Sequence, residues 1–159
     1  MIDFIAMLQS FAIKSLVDIR RLPGSRKFPH FDQENLETML AENGIHYAHI
    51  SALGGRRKVQ KESKNSRWRN DSFRGYADYM ETNEFKKAIT QLETLALQQP
   101  TAYMCAEAVW WRCHRSMVSD CLKAKGWTVL HIMAAGKAQE HPYTSAARIV
   151  GSRVVYSDE

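Results

Sequence analysis

The amino-acid sequence predicts a three-layer α/β protein, in which a mainly parallel sheet carries helices on both faces as in Rossmann-like and rhodanese-like folds. Short apolar runs alternate with longer segments of helical periodicity along the chain. Strands that are separated by helices pair in parallel through right-handed crossovers. The 159 residues, of which 45% are hydrophobic, suffice for one domain with its own core. We therefore expect a single domain over residues 1–159, with a core at 1–133 and a C-terminal tail at 134–159.

The first half of the chain supplies two helices and two strands of this alternation. Apolar residues at helical spacing open the chain, and the run 15–20 predicts a buried strand. Two prolines and a glycine make residues 22–31 a loop. Asp32 then suits the N-cap of a second helix, and Gly44 suits its end. The alternating segment 45–50 predicts the second strand.

The second half repeats the pattern after a long irregular excursion. The predicted elements are helices at 72–80, 84–97 and 114–125, strands at 101–105 and 127–133, and a short tail helix around 145–149. Parallel strands end at one edge of the sheet, where α/β proteins bind their ligands. Three Arg-rich loops leave that edge, at 20–30, 51–76 and 105–115.

The excess positive charge of the chain is confined to one segment. The net charge is +5, yet residues 51–74 alone carry +6 from eight basic and two acidic side chains. We interpret this segment as a patch that faces an anion, the alternative being a solvated basic loop.

The sharpest chemical signal is the run from Cys105 to Arg115, CAEAVWWRCHR. A cysteine here follows a predicted strand and faces the N-terminus of the next helix, a setting that stabilises a thiolate. Cysteine phosphatases and rhodanese-like sulfurtransferases use this topology. The loop differs from theirs, because the six residues between Cys105 and Arg112 include two tryptophans and no glycine. The alternative is a buried, unreactive Cys105.

The candidate catalytic residues are Cys105, Glu107 and His114. Glu107 is the only acid of the run, and it is either an ion-pair partner of the arginines or a general acid/base or nucleophile. We expect its carboxylate to lie within hydrogen-bond reach of Arg112 or Arg115. Such pairing would remove the cost of an isolated carboxylate in a partly dry pocket and reduce the repulsion between the guanidinium groups. The cysteines and histidine of this run lack zinc-finger spacing, so we expect no metal and no cofactor.

A second signal interleaves aromatic and basic residues at 67–69 (RWR) and 73–79 (FRGYADY). Such a mixture lets bases stack while cations hold phosphates, as in sites for single-stranded nucleic acids and nucleotides. The alternative is that Phe73, Tyr76 and Tyr79 or Met80, which have helical spacing, belong to the core. The predicted anion- or nucleic-acid-binding residues are Arg20, Arg56, Arg57, Arg67, Trp68, Arg69, Arg74, Tyr76, Arg112 and Arg115.

Five segments resemble, in order, the motifs of the bacterial family called domain of unknown function 488. They are LVDIR at 16–20, YAHISALGGRR at 47–57, FRGYADYM at 73–80, MCAEAVWWRCHR at 104–115 and HPYTSAARI at 141–149. The resemblance implies an α/β fold and a cysteine-centred site, and some relatives carry a DNA-repair label. Family members usually open with a strand that carries a Thr-Ile-Gly-His-Ser-like run, so the resemblance also implies that this first N-terminal strand is missing here.

These observations lead to one primary hypothesis and two alternatives. We expect the protein to bind a phosphate-bearing ligand, a nucleic acid or a nucleotide, at the edge formed by the three Arg-rich loops. The alternatives are a cysteine-thiolate enzyme of rhodanese-like or phosphatase-like type, and a non-enzymatic interaction domain. Three cysteines, an odd number, and the lack of a long apolar run predict a cytoplasmic protein without a membrane partner. A sheet edge exposed by the missing strand would favour a homodimer.

Overall fold

The computed structural model describes residues 2–24, 29–107 and 109–158. In chain order its helices are α1 Ile2–Ser10, α2 Gln33–Glu42, α3 Asp71–Tyr79, α4 Asn83–Gln98 and α5 Arg115–Ala124. Its strands are β1 Ser15–Asp18, β2 His46–His49, β3 Thr101–Met104, β4 Leu130–Ala134, β5 Lys137–Glu140, β6 Arg148–Val150 and β7 Arg153–Val155. In these three stretches, no helix is both long enough and apolar enough to cross a bilayer.

The central sheet consists of three parallel strands in the order β2-β1-β3. Successive side chains of β1 point to opposite faces, so the sheet has two cores. Leu16 packs with residues of α1 and α2, whereas Val17 packs with residues of α3, α4 and α5. The predicted α/β fold, with a parallel sheet between two helical layers, is therefore confirmed.

The prediction that the fourth strand joins the parallel sheet is wrong. β4 begins at Leu130 and pairs antiparallel with β5, outside the central sheet. The two strands form a hairpin because Gly136 adopts a φ of +70°, a left-handed conformation that glycine tolerates best. Among the described residues, β3 therefore pairs only with β1.

The predicted tail helix around 145–149 is also wrong. β6 and β7 form a second antiparallel hairpin, with Gly151 in its turn at a φ of +63°. The β-branched residues of this segment favour strand over helix. Ala146 and Tyr156 from either side of the hairpin are buried in the core under α3, α4 and α5.

Candidate functional site

A groove of about 1840 Å³ begins at the carboxyl edge of the central sheet and follows β3 towards β4. Its walls at the sheet edge include Arg20, Arg56, Cys105 and Arg115, which come from all three Arg-rich loops. The convergence predicted from the strand order is thus present in the fold. Such a concave site at the carboxyl ends of parallel strands is the usual place for a ligand in an α/β protein.

Cys105 follows β3 directly and has only 6% of its surface exposed. Its Sγ lies 3.6 Å from the carbonyl oxygen of Glu107. The neighbouring Cys113 thiol lowers the pKa of Cys105; burial opposes this shift and the Arg115 guanidinium adds to it. The same partnership raises the pKa of Cys113, which keeps its proton. The pair can therefore hold one thiolate near neutral pH.

Arg115 is the first residue of α5 and is partly buried. Its Nε is shielded from solvent and has no hydrogen-bond partner in the described structure. The charge of Arg115, together with the Cys113 thiol, lowers the pKa of Cys105. An unused donor at the positive end of a helix dipole is a favourable place for an anion.

His114 precedes α5 and is held by packing. Its ring centroid lies 4.8 Å from that of Tyr76, and its Nδ1 lies 3.4 Å from the Cys113 Sγ. Burial lowers the pKa of His114 to about 4, although the carbonyl groups of Ile19 and Leu53 favour the charged ring. Neither carbonyl makes a well-aligned hydrogen bond with Nε2, which is buried without a partner. The ring is therefore neutral at pH 7, and its sulfur contact is with the thiol that keeps its proton.

The expected pairing of Glu107 with an arginine is wrong. Glu107 is exposed, and its carboxylate has no hydrogen bond or ion pair with any described residue. Arg112 is exposed as well. Water solvates both charges at such positions, so an ion pair between them would add little stability. A catalytic role for Glu107 stays a prediction.

Arg20 is engaged by an acid that the sequence analysis did not single out. Its Nε and Nη2 donate to the Asp18 carboxylate at 2.8 and 2.7 Å, and the Tyr47 hydroxyl donates to the same carboxylate at 2.7 Å. Asp18 has no exposed surface. The charge of Arg20 is thus balanced by Asp18 at the end of β1, and anion binding by Arg20 stays a prediction. The sequence signal that could have indicated this ion pair is the spacing Asp-x-Arg at the end of a strand.

The aromatic residues of the second signal belong to the core. Trp68 packs against Phe73 and Tyr156, with ring centroids 4.9 and 5.8 Å apart. Tyr76 is only 1% exposed, and its hydroxyl donates to the Leu53 carbonyl oxygen at 2.7 Å. The core alternative raised by helical spacing is therefore confirmed for Tyr76, which is too buried to stack on a base, whereas Trp68 is partly buried and its role in binding stays a prediction.

Three of the predicted arginines also bind within the protein. Arg57 lies over the Tyr79 ring at 3.7 Å from its centroid. Arg67 donates to the Ala146 carbonyl oxygen at 2.7 Å. Arg74 donates to the Ser63 hydroxyl and carbonyl oxygens at 3.1 Å each. The predicted cations that keep exposed side chains without a partner in the described structure are Arg56, Arg69 and Arg112.

A polar chain that the sequence analysis missed lies in the wall of the groove beyond β3. Asp120 of α5, His141 and His131 of β4 are linked by hydrogen bonds of 2.8 Å each. These residues are 10 to 21 positions apart, so no local motif indicates the link. Within the described stretches, no group of three or more His, Cys, Asp or Glu side chains could hold a metal ion.

The fold and the groove together define an α/β protein with a cysteine and an arginine at the carboxyl edge of a parallel sheet. The family described as "Domain of unknown function DUF488" matches residues 1–122. The chain therefore belongs to this family, as its motifs predicted. No curated protein and no solved structure matches the sequence. The family match includes the run from Cys105 to Arg115 but ends before His131 and His141.

Proposed function

We propose that the protein is a cysteine-thiolate enzyme whose substrate is a small anion, a phosphate ester or a thiosulfate-like sulfur donor, bound beside Cys105 and Arg115. The observation that carries this proposal is the buried Nε of Arg115, a donor without an acceptor that lines the same groove as Cys105. A buried donor left unpaired is costly in a folded protein. A substrate oxygen that accepts from it would remove this cost.

Cys105 supplies the nucleophile, because a lowered pKa makes more of the thiol available as the reactive thiolate at neutral pH. Attack on a phosphate ester forms a sulfur–phosphorus bond, and the alcohol leaves with the electrons of the broken ester bond. Attack on the outer sulfur of thiosulfate forms a persulfide, and sulfite leaves with the electrons of the sulfur–sulfur bond. In either reaction Arg115 and the dipole of α5 offset the negative charge of the bound anion.

The test is covalent labelling of Cys105 by p-nitrophenyl phosphate and, separately, by thiosulfate, followed by mass spectrometry of the intact protein. One of the two probes is expected to add its phosphoryl group or its sulfur to Cys105, and Cys105→Ser should abolish the mass gain. Cys121→Ser is the matched control, because burial raises the pKa of Cys121 to about 11 and keeps that thiol protonated. Absence of a mass gain and of turnover with both probes would overturn the proposal.

A second candidate function is binding of single-stranded nucleic acid by the basic segment 51–74. The observation that favours it is the set of basic side chains there that remain exposed without a partner in the described structure, Arg56, Lys58, Lys61, Lys64 and Arg69. Affinity for single-stranded DNA should then fall steeply between about 50 and 200 mM salt. Substitution of Lys61, Lys64 and Arg69 by glutamine should reduce that salt dependence. No binding at the lower salt concentration would remove this candidate and leave the thiolate proposal unaffected.

A further inference from the structure

A hydrogen-bonded chain of three side chains runs from the protein core to the groove. Asp120 and His141 have no exposed surface, and His131 has 7%. The Asp120 Oδ1 lies 2.8 Å from the His141 Nε2, and the His141 Nδ1 lies 2.8 Å from the His131 Nε2. His131 lines the groove that also contains Cys105. An acid, a linking imidazole and a terminal imidazole are the parts of a proton relay.

The acid at the inner end fixes where each proton lies. Asp120 is held as an acceptor, since the backbone N–H and the hydroxyl of Thr144 donate to it at 3.0 and 2.6 Å and the Tyr156 hydroxyl donates at 2.7 Å. The His141 Nε2 must therefore carry the proton that bonds to Asp120. If the His141 Nδ1 accepts the bond between the two rings, the His131 Nε2 carries the next proton. The lone pair of His131 is consequently on Nδ1, which has no partner in the described structure.

Trp110 and Arg115 connect His131 with the loop that carries Cys105. The His131 ring stacks on Trp110 with centroids 4.6 Å apart and an interplanar angle of 4°, and Trp110 belongs to the loop that follows Cys105. Burial lowers the pKa of His131 to about 3, with His141 and Arg115 adding to the effect. The charge of Arg115 thus acts on both His131 and Cys105. His131 is therefore unprotonated at neutral pH, and because it holds a proton poorly it can act as a base only by passing that proton on to His141.

We propose that His131 is a general base for hydrolysis, that His141 and Asp120 are its positioning residues, and that the substrate is a phosphate ester. This inference rests on the proposed thiolate function and selects between its two chemistries. Transfer of sulfur from thiosulfate to a thiolate removes no proton, whereas release of phosphate from Cys105 requires an activated water molecule.

In the hydrolytic step, a water oxygen bonds to phosphorus and the sulfur–phosphorus bond breaks, with its electron pair returning to Cys105 as a thiolate. The water proton passes to the His131 Nδ1. The Nε2 proton of His131 passes to the His141 Nδ1, and the resulting imidazolium faces the Asp120 carboxylate. The other charged group at this position is Lys123, whose ammonium donates to the His141 carbonyl oxygen at 2.6 Å. It contacts the backbone and leaves the ring nitrogens of His141 to the relay.

The relay itself is tested on the unmodified full chain by nitrogen-15 NMR of its histidine rings at pH 7. We expect His131 and His141 both to be protonated on Nε2 and not on Nδ1. The opposite tautomer of His131 would overturn the proposal, because the groove would then face a donor. This measurement needs no substrate and no substituted protein.

The catalytic role is tested with p-nitrophenyl phosphate by separating the first release of p-nitrophenol from steady turnover. His131→Gln keeps a polar group near the Nε2 position and removes the base, so we expect the initial burst to survive and steady turnover to fall by about 10²-fold or more. His141→Gln keeps the contact with Asp120 and breaks the relay, so steady turnover should fall again with the burst retained. The exposed His46→Gln is the matched control and should change neither phase. Unchanged turnover in both relay variants would overturn the role of His131, whereas absence of a burst in the unsubstituted protein would overturn the thiolate function on which it rests.

Discussion

At the residue scale, the buried carboxylate of Asp18 at the end of β1 shifts the pKa values of Arg20 and Tyr47. Asp18 accepts hydrogen bonds from Arg20 and Tyr47. Burial alone would lower the pKa of Arg20, but the hydrogen bonds and charge of Asp18 outweigh it and leave that pKa raised. Burial and Asp18 together raise the pKa of Tyr47. Asp18 and Tyr47 therefore fix the position of Arg20 in the wall of the groove.

Substitution of Asp18 tests this corner. Asp18→Asn should lower the free energy of unfolding by about 3–5 kcal/mol, because it leaves the buried guanidinium of Arg20 without its counter-charge. Urea denaturation at neutral pH measures the change. The exposed Glu37→Gln on α2 is the control and should stay within about 0.5 kcal/mol of the unsubstituted protein. A loss for Asp18→Asn as small as that of the control would contradict the assignment.

Two buried histidines predict that the protein is sensitive to acid. The pKa values of His114 and His131 are lowered to about 4 and about 3, chiefly by burial. Above about pH 6.5 both rings are neutral in the folded and unfolded states, so they add no pH dependence. Below it the unfolded chain binds protons that the folded chain does not, so stability falls as pH falls. The expected loss is about 1.4 kcal/mol per pH unit for each histidine.

Urea denaturation at about pH 7 and about pH 5 measures this loss of stability. His114→Asn or His131→Gln should each reduce the pH dependence, whereas the exposed His46→Gln should leave it unchanged. Equal stability at the two pH values would show that neither ring is held neutral by burial.

At the scale of elements, α3 and the basic segment before it hold each other in place. The carboxylate of Asp78 on α3 accepts from the Gln60 backbone, the Ser63 hydroxyl and the Asn65 amide at 2.8, 2.6 and 2.7 Å. Gly75 lies on the same helix where the segment crosses it. A long irregular segment thus acquires a fixed path, because its polar groups are satisfied by one buried acid.

Gly75→Ala tests the close approach of the two elements. A Cβ at this position would overlap the carbonyl oxygen of Arg57. We expect a loss of about 1–3 kcal/mol from overpacking, even though alanine is intrinsically the better helix former by about 1 kcal/mol. Thermal or urea denaturation measures it, with the exposed Ser72→Ala on the same helix as the control. A more stable Gly75→Ala protein would contradict the packing described.

The sequence predicts helices and parallel strands well where periodicity and end signals agree, as at 33–42 with Asp32 before it and Gly44 after it. It could not predict the pairing of β4, because an apolar run fits both a buried parallel strand and one arm of a hairpin. The choice depends on the turn at Gly136. Cys105 and Arg115 were identified because they flank one loop, whereas the relay through His131 joins side chains from separate elements. The pairing of Glu107 with an arginine was predicted wrongly, because spacing does not reveal whether water already solvates a carboxylate.

At the scale of the whole molecule, the central sheet ends at β3. Within the described residues, the outer edge of this strand has no partner strand and lines the groove. Unpaired backbone groups on an edge strand favour association with a second chain. Because the groove and the sheet edge share this strand, the proposed ligand site and an interface between two copies of the protein would use the same surface.

We expect reversible dimerisation through the β3 edge. Sedimentation velocity over a wide range of protein concentration should show a shift from monomer to dimer. Thr101→Lys places a charge on this edge and should shift the equilibrium towards monomer. Monomer at every concentration would contradict an available edge, and an unaffected dimer in Thr101→Lys would place the interface elsewhere.

The proposed function requires that Cys105 is a thiolate stabilised by its neighbours, and its rate of alkylation by iodoacetamide as a function of pH measures this state. Mass spectrometry of peptides separates Cys105 from the other two cysteines. We expect a midpoint well below that of an ordinary thiol, an upward shift in Cys113→Ala, and a smaller upward shift in Arg115→Gln. A midpoint near the ordinary thiol value of about 8.5, unchanged in both variants, would contradict it.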